Sequence, residues 1–183
     1  MAESAKNEVE LPEDQCRAFD IFVMCGYSGM VEDAGKTTQE TLSVLKAYQL
    51  ADKLCMPDFQ KILIEKLKQH SRKVLKHPRD LIWLLKNVLK ESALYRFKWD
   101  QLVYDVRADK ETYQSPKDGY NMGTALRDLL ADTEISTQFL WACMGSKVLG
   151  ESRAAREGCH YHIHGNGENC DVTKRKAKKA ART

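Results

Sequence analysis

The sequence predicts a mainly α fold, and three observations carry the prediction. Apolar residues recur three or four positions apart through most of residues 13–148, which is the spacing of one face of a helix. Pro57 and Pro78 each stand at the head of such a run, where a missing N–H costs nothing. No stretch alternates apolar and polar residues beyond a few positions; the best strand candidate, Val9-Glu10-Leu11, is very short.

The first predicted helix runs from Glu13 to about Tyr27, after Leu11-Pro12, with Glu13 and Asp14 at its positive dipole end. Ala18, Phe19, Phe22, Val23 and Met24 give it a wide apolar face. Gly26 interrupts its last turn and Gly29 serves as its stop. Residues 30–36 read as a mobile connection. Thr37-Thr38-Gln39-Glu40 then has the pattern of a capping box. Leu42, Leu45, Tyr48, Ala51 and Leu54 line the helix behind it. That helix must yield near Cys55-Met56, because proline disfavours helical backbone in the residue before it. Pro57 starts a third helix with Phe59, Leu63, Leu67, His70 and Val74 on one face and Lys61, Glu65, Lys68 and Arg72 elsewhere. The corner turns one amphipathic helix onto the next, with small Ala51 at the crossing and Asp52 and Lys53 in solvent.

Pro78 opens a fourth helix bearing Leu81, Ile82, Leu85, Val88 and Leu89. Ser92 is the cap of a fifth, bearing Leu94, Phe97, Trp99, Leu102, Val103 and Val106. Residues 108–123 are polar, contain Pro116 and Gly119, and read as a loop. A last helical region, from about Thr124 to Val148, breaks near Asp132-Thr133. Leu126, Leu129, Leu130, Phe139, Leu140 and Cys143 are expected to face inward. The layout is therefore a helical region over 1–107, a loop over 108–123, and helices over 124–150. Residues 151–183, Cys/His-rich and then basic, are too polar to order themselves and read as flexible.

A chain of 183 residues fits one domain. Its net charge of +3 is unevenly spread. Residues 173–183 hold six basic side chains and no acidic one, and the remainder is slightly acidic. A nucleic-acid contact is therefore expected only through the tail. The acidic N-terminus has neither the apolar run of a secretory signal nor the Arg-rich pattern of a mitochondrial presequence. No window approaches ~18 continuous apolar residues, so no membrane span is expected. Without a secretory signal, Cys16, Cys25, Cys55 and Cys143 read as buried, reduced thiols. The expected location is nucleus or cytoplasm.

No nucleophile elbow, phosphate-binding glycine loop or H-E-x-x-H pair occurs. His70 and His77 are isolated, and Cys25 or Cys143 lacks an orienting third group at a recognisable spacing. The chain therefore reads as a non-enzyme. Trp83, Trp99 and Trp141 sit in helical patterns, as core or interface rings.

Three stretches together carry a resemblance: VELPEDQCRAFDIFVMCGYSG, LSVLKAYQLADKLCMPDFQKILIEKL and ESALYRF. In this order they resemble the back half of a fungal BTB/POZ domain over about residues 8–107. The most specific piece is Tyr48–Leu54 followed by Pro57. The resemblance implies a protein–protein interaction module, a scaffold or an oligomerisation protein. A complete BTB domain begins with a helix and strands that would lie before Met1, so the likeness implies a partial domain. It leaves Phe19, Phe22 and Val23 on the first helix as the candidate interaction surface, for a partner or a second copy. Some members of the family recruit cullin-type ubiquitin ligases through a hydrophobic-x-Glu motif, loosely matched by Met1-Ala2-Glu3.

Two further stretches suggest chemistry. In CHYHIHGNGENC, thiolates and imidazoles of the kind zinc prefers fall within twelve residues. Cys159, His162, His164 and Cys170 are the candidate ligands, and zinc the candidate cofactor. A flexible segment without metal stands ahead of that reading, and a Cys159–Cys170 disulfide is the third alternative, disfavoured in a reducing compartment. A similar Cys/His-rich end recurs in the fungal family. Lys174, Arg175, Lys176, Lys178 and Lys179 resemble a nuclear import signal; the alternatives are a solvated basic end or a salt-sensitive nucleic-acid contact.

Overall fold

The computed structural model describes residues 16–29, 31, 38–71, 77–114, 122–145 and 161. Among them are eight helices and no strand, so the mainly α expectation is met. The expected strand at Val9–Leu11 and the capping residue Thr37 lie outside the described residues.

Helices α1 (Cys16–Ser28), α2 (Thr38–Lys53) and α3 (Pro57–Ser71) form one group, with α2 in contact with both neighbours. Helices α4 (Pro78–Asn87), α5 (Ala93–Ala108), α6 (Lys110–Gln114), α7 (Met122–Leu129) and α8 (Thr133–Met144) form the other. In it α5 touches α4, α6 and α8, and α7 rests on α4 and α6. The two groups meet where α2 reaches α4. A single apolar core runs through both, from Ala18 and Ile21 of α1 to Phe139 of α8.

The helix ends show why these segments stop. Gly29 takes φ +66° and its N–H donates to the Cys25 carbonyl at 2.8 Å, a left-handed C-terminal cap. The helix runs straight through Gly26, which was expected to interrupt it. At the corner, Met56 N–H donates to Ala51 O at 2.9 Å and Cys55 N–H to Asp52 O at 3.0 Å. This is the Schellman pairing, and it demands a left-handed residue at Cys55, whose φ is 53°. A side chain in that region costs about 1–2 kcal/mol. Cys55→Gly is therefore expected to stabilise the protein by about 0.5–1 kcal/mol once glycine's greater unfolded-state freedom is subtracted. Urea unfolding at constant m-value measures it. Pro57 then occupies the first position of α3.

His77 caps α4, its Nδ1 accepting from Arg79 N–H at 3.2 Å. Ser92 caps α5 as expected, its Oγ accepting from Tyr95 N–H at 3.1 Å. Asp132 caps α8, its Oδ1 accepting from Ile135 N–H at 3.0 Å, so the break near Asp132-Thr133 is where the sequence placed it.

Several expectations need correction. The stretch 108–123, read as a loop, contains α6 and the start of α7. Asp109 explains α6: its carboxylate accepts from both the N–H and the hydroxyl of Thr112, at 3.2 and 2.7 Å. Tyr113 is then buried against the core. Leu54, Leu89 and Leu140, expected inside, are exposed, because each lies at an element's end or on the outer side of a helix whose inner side is already filled. Lys68, expected outside, is buried, with its ammonium on Glu65 at 2.8 Å; the long stem packs while the charge finds a carboxylate. Of the four thiols read as buried, Cys25 is buried, Cys143 is half-buried, and Cys16 and Cys55 are exposed.

Helix α2 departs furthest from a one-sided pattern. Thr41, Ser43, Val44, Leu45, Ala47, Tyr48, Leu50 and Ala51 are all buried, so it is enclosed on most sides. Tyr161 is the other departure. It belongs to the stretch read as flexible, yet its ring is buried.

Candidate functional site

The second half of α2, the end of α4 and the start of α5 together make a groove of about 670 Å³. Its walls are Tyr48 and Asp52 of α2, Leu85 and Val88 at the end of α4, and Ala93 and Arg96 on the first turn of α5. Gln49 Nε2 donates to the Asn87 carbonyl at 3.2 Å, tying α2 to the last turn of α4. Tyr48 makes a hydrogen bond with the Leu94 backbone, tying α2 to the first turn of α5. Burial pushes the Tyr48 hydroxyl up to about 12, against the pull of that backbone bond; Asp52 also raises it and Arg96 lowers it. The Asp52 carboxylate accepts from Gln60 Nε2 at 2.9 Å and so braces the corner. No cysteine or histidine lines the groove. Its lining is an apolar floor with charged groups at the edge, which suits binding.

A stripe of buried polar groups runs along α5. Lys98, Gln101 and Asp105 follow one another at spacings of three and four and are all buried. Lys98 Nζ lies 2.6 Å from Asp80 Oδ2 of α4, with 1% and 9% of the two side chains exposed. Gln101 Nε2 donates to Asp105 Oδ1 at 2.6 Å. Burial pushes the Tyr113 hydroxyl far up, and the nearby Asp105 and Asp109 carboxylates push it further. The stripe joins α4 to α5 through paired groups packed in the interior.

The residues expected to form an interaction surface on α1 do not act as one set. Phe22 turns partly inward, its ring 5.4 Å from Phe59 of α3 and 5.9 Å from Phe19. Val23 is half-buried. Phe19 is 44% exposed, and it shares the outer side of α1 with Met24 at 45% and Tyr27 at 90%. The inner side is Ala18, Ile21 and Cys25, at spacings of three and four. Sequence reasoning missed Tyr27, although Phe19, Val23 and Tyr27 are spaced at four and four, which is a helical signal. Burial pushes the Cys25 thiol up, away from the thiolate that nucleophilic work needs. A second uncovered apolar face lies on α8, where Leu140, Trp141 and Met144 are each more than half exposed. Of the two readings of Trp141, core or interface, its exposure removes the first.

The other expected sites fall elsewhere. Cys159, His162, His164 and Cys170, and the basic run Lys174, Arg175, Lys176, Lys178 and Lys179, lie outside the described residues. Among the described residues no three His, Cys, Asp or Glu side chains gather to hold a metal ion. His77 serves as a helix cap, and burial holds its pKa below the usual histidine range, with Asp80 opposing the shift and Arg79 adding to it. Among the described residues no helix is long and apolar enough to cross a membrane.

Against known proteins, no family model, no curated protein and no solved structure matches the chain.

Proposed function

We propose that the chain is a protein–protein interaction module whose docking element is the outer side of α1. The observation that carries this reading is the exposure of Phe19, Met24 and Tyr27 on a helix whose inner side is fully used. Large aromatic anchors of this kind supply most of the affinity in protein interfaces, and an uncovered apolar patch is costly to leave in water. The likeness of residues 8–107 to the back half of a BTB/POZ domain supports the same reading. The partner is a protein with an apolar face of its own, a second copy of this chain included. The mechanism is burial of apolar area with no chemical step.

The test uses the full chain and a Phe19→Asp/Tyr27→Asp variant. Both positions are exposed, so the variant is expected to keep its helical circular dichroism. Light scattering reads self-association, and cross-linking with mapped peptides reads contact through α1. The variant is expected to lose association by at least about tenfold, since two anchors are each worth about 1–2 kcal/mol or more. Equal association by wild type and variant overturns the reading. The basic run at residues 173–183 supports a second, separable role in nuclear import or nucleic-acid contact. Deleting it is expected to abolish retention on nucleic acid while leaving association through α1 intact.

A further inference from the structure

We propose that the groove between α2, the end of α4 and the head of α5 is a binding site for a small apolar molecule that carries a single carboxylate. Its floor is deep: Tyr48 of α2 is 1% exposed and Ala93 of α5 is 2% exposed. Leu85, Val88 and Leu89 give it an apolar side. Its volume of about 670 Å³ lies in the range that encloses a drug-sized ligand, and a concave apolar site with a few polar groups is the usual form of such sites. The uncovered faces of α1 and α8 are single helix sides, suited to lie against a protein. The groove instead surrounds its occupant.

The donors in the lining select an acid. The bond between Tyr48 and the Leu94 backbone favours the phenolate, so the phenol oxygen accepts there, from the Leu94 N–H. The phenol proton is then left over, and among the described residues no acceptor takes it. Arg96 lies near enough to act on the same hydroxyl; its side chain is exposed and has no ion pair among the described residues. Ala93 and Leu94 open α5, and the positive end of a helix favours an anion. A spare phenol proton, an unpaired guanidinium and a helix start are therefore neighbours beside an apolar wall. A carboxylate suits them, because a guanidinium holds one through two parallel N–H···O bonds. The lining also contains two acids. The Asp52 carboxylate is engaged by Gln60 Nε2 at 2.9 Å, and Glu91 is exposed on the turn before the Ser92 cap. Against Lys86 and Arg96 they leave the lining neutral, so a second negative charge on the ligand gains nothing. A monocarboxylate with an alkyl or aryl body fits both the charge and the apolar side.

The full chain and sodium decanoate, kept below its micellar concentration, provide the test, with decanol as the uncharged probe. Calorimetric titration reads affinity, and amide NMR shifts read location. Decanoate is expected to move the signals of Leu89, Ala93 and Arg96. Arg96→Gln, at an exposed position, is expected to weaken decanoate by about tenfold or more and to leave decanol binding unchanged. Tyr48→Phe removes the phenol donor and is expected to weaken decanoate by about fivefold. Leu89→Glu, also at an exposed position, is expected to weaken both probes. The proposal is overturned if decanoate does not bind, or if Arg96→Gln weakens decanoate and decanol equally or neither of them. Shifts confined to α1 or α8 also overturn it, since they mean adventitious contact with an uncovered apolar face. If an apolar peptide with a free C-terminal carboxylate binds where decanoate does not, the groove belongs to a protein partner and the small-ligand assignment fails.

Discussion

Asp80→Leu is expected to cost about 3–5 kcal/mol of stability, because it strands the Lys98 ammonium in the interior without its counter-charge. That is a large part of the roughly 5–15 kcal/mol that holds a domain of ordinary stability together. Lys98→Met removes the other partner and is expected to cost less. Asp80 sits in the first turn of α4, where backbone amides and the helix dipole offset some of the lone carboxylate's penalty, by about 0.3–1 kcal/mol. The double variant Asp80→Leu/Lys98→Met is expected to be close to wild type or more stable, since two apolar side chains of similar bulk need no desolvation. Urea unfolding of all four proteins, followed by far-ultraviolet circular dichroism, yields the coupling directly. Single variants that each cost under about 1 kcal/mol would show that the pair is hydrated in solution.

Tyr48→Ala is expected to cost about 3–5 kcal/mol, the usual range for removing a fully buried aromatic ring. Tyr48→Phe keeps the ring and loses only the bond to the Leu94 backbone, for about 1–2 kcal/mol. The two variants separate packing from stitching at the junction of α2 with α5. The same phenol sets an alkaline limit. In the unfolded chain a tyrosine loses its proton near pH 10, whereas in the folded protein Tyr48 holds it to about 12. Between those values unfolding releases a proton, so stability is full below pH 10 and falls as pH rises. Tyr113, also shifted up by burial, steepens the decline. Tyr48→Phe is expected to lose stability less steeply than wild type across that window. A parallel decline in the two proteins would mean that Tyr48 ionises in the fold as it does in the open chain.

Much of this architecture can be read from local chemistry. The corner at Cys55-Met56, the caps at Ser92 and Asp132 and the prolines at the heads of α3 and α4 follow from backbone rules that act within a few residues. Those rules do not depend on what lies across the core. The failures share the opposite property. Lys68 has its carboxylate, Glu65, three residues before it, but its burial depends on what packs over that face of α3. Lys98, on which the sequence was silent, is buried against a carboxylate on another helix that nothing in its own neighbourhood announces. Helix α2 is enclosed by α1 before it and by α3 and α4 after it in the chain, so its polar Thr41 and Ser43 could not be foreseen as interior. Tyr161 is an extreme case: its partners are 61 and more residues away, and only its aromatic character amid polar neighbours hinted at burial. On α6 a local signal did exist, Asp109 three residues before Thr112, and the surrounding polarity masked it.

The enclosure of α2 has a consequence for how the protein comes apart. One helix is shared property of both helical groups, supplying interior surface to α1 and α3 and the struts Tyr48 and Gln49 to α4 and α5. Neither group can melt while the other keeps its inner wall dry. The molecule should accordingly denature in a single calorimetric peak, with no stable half surviving the loss of the other.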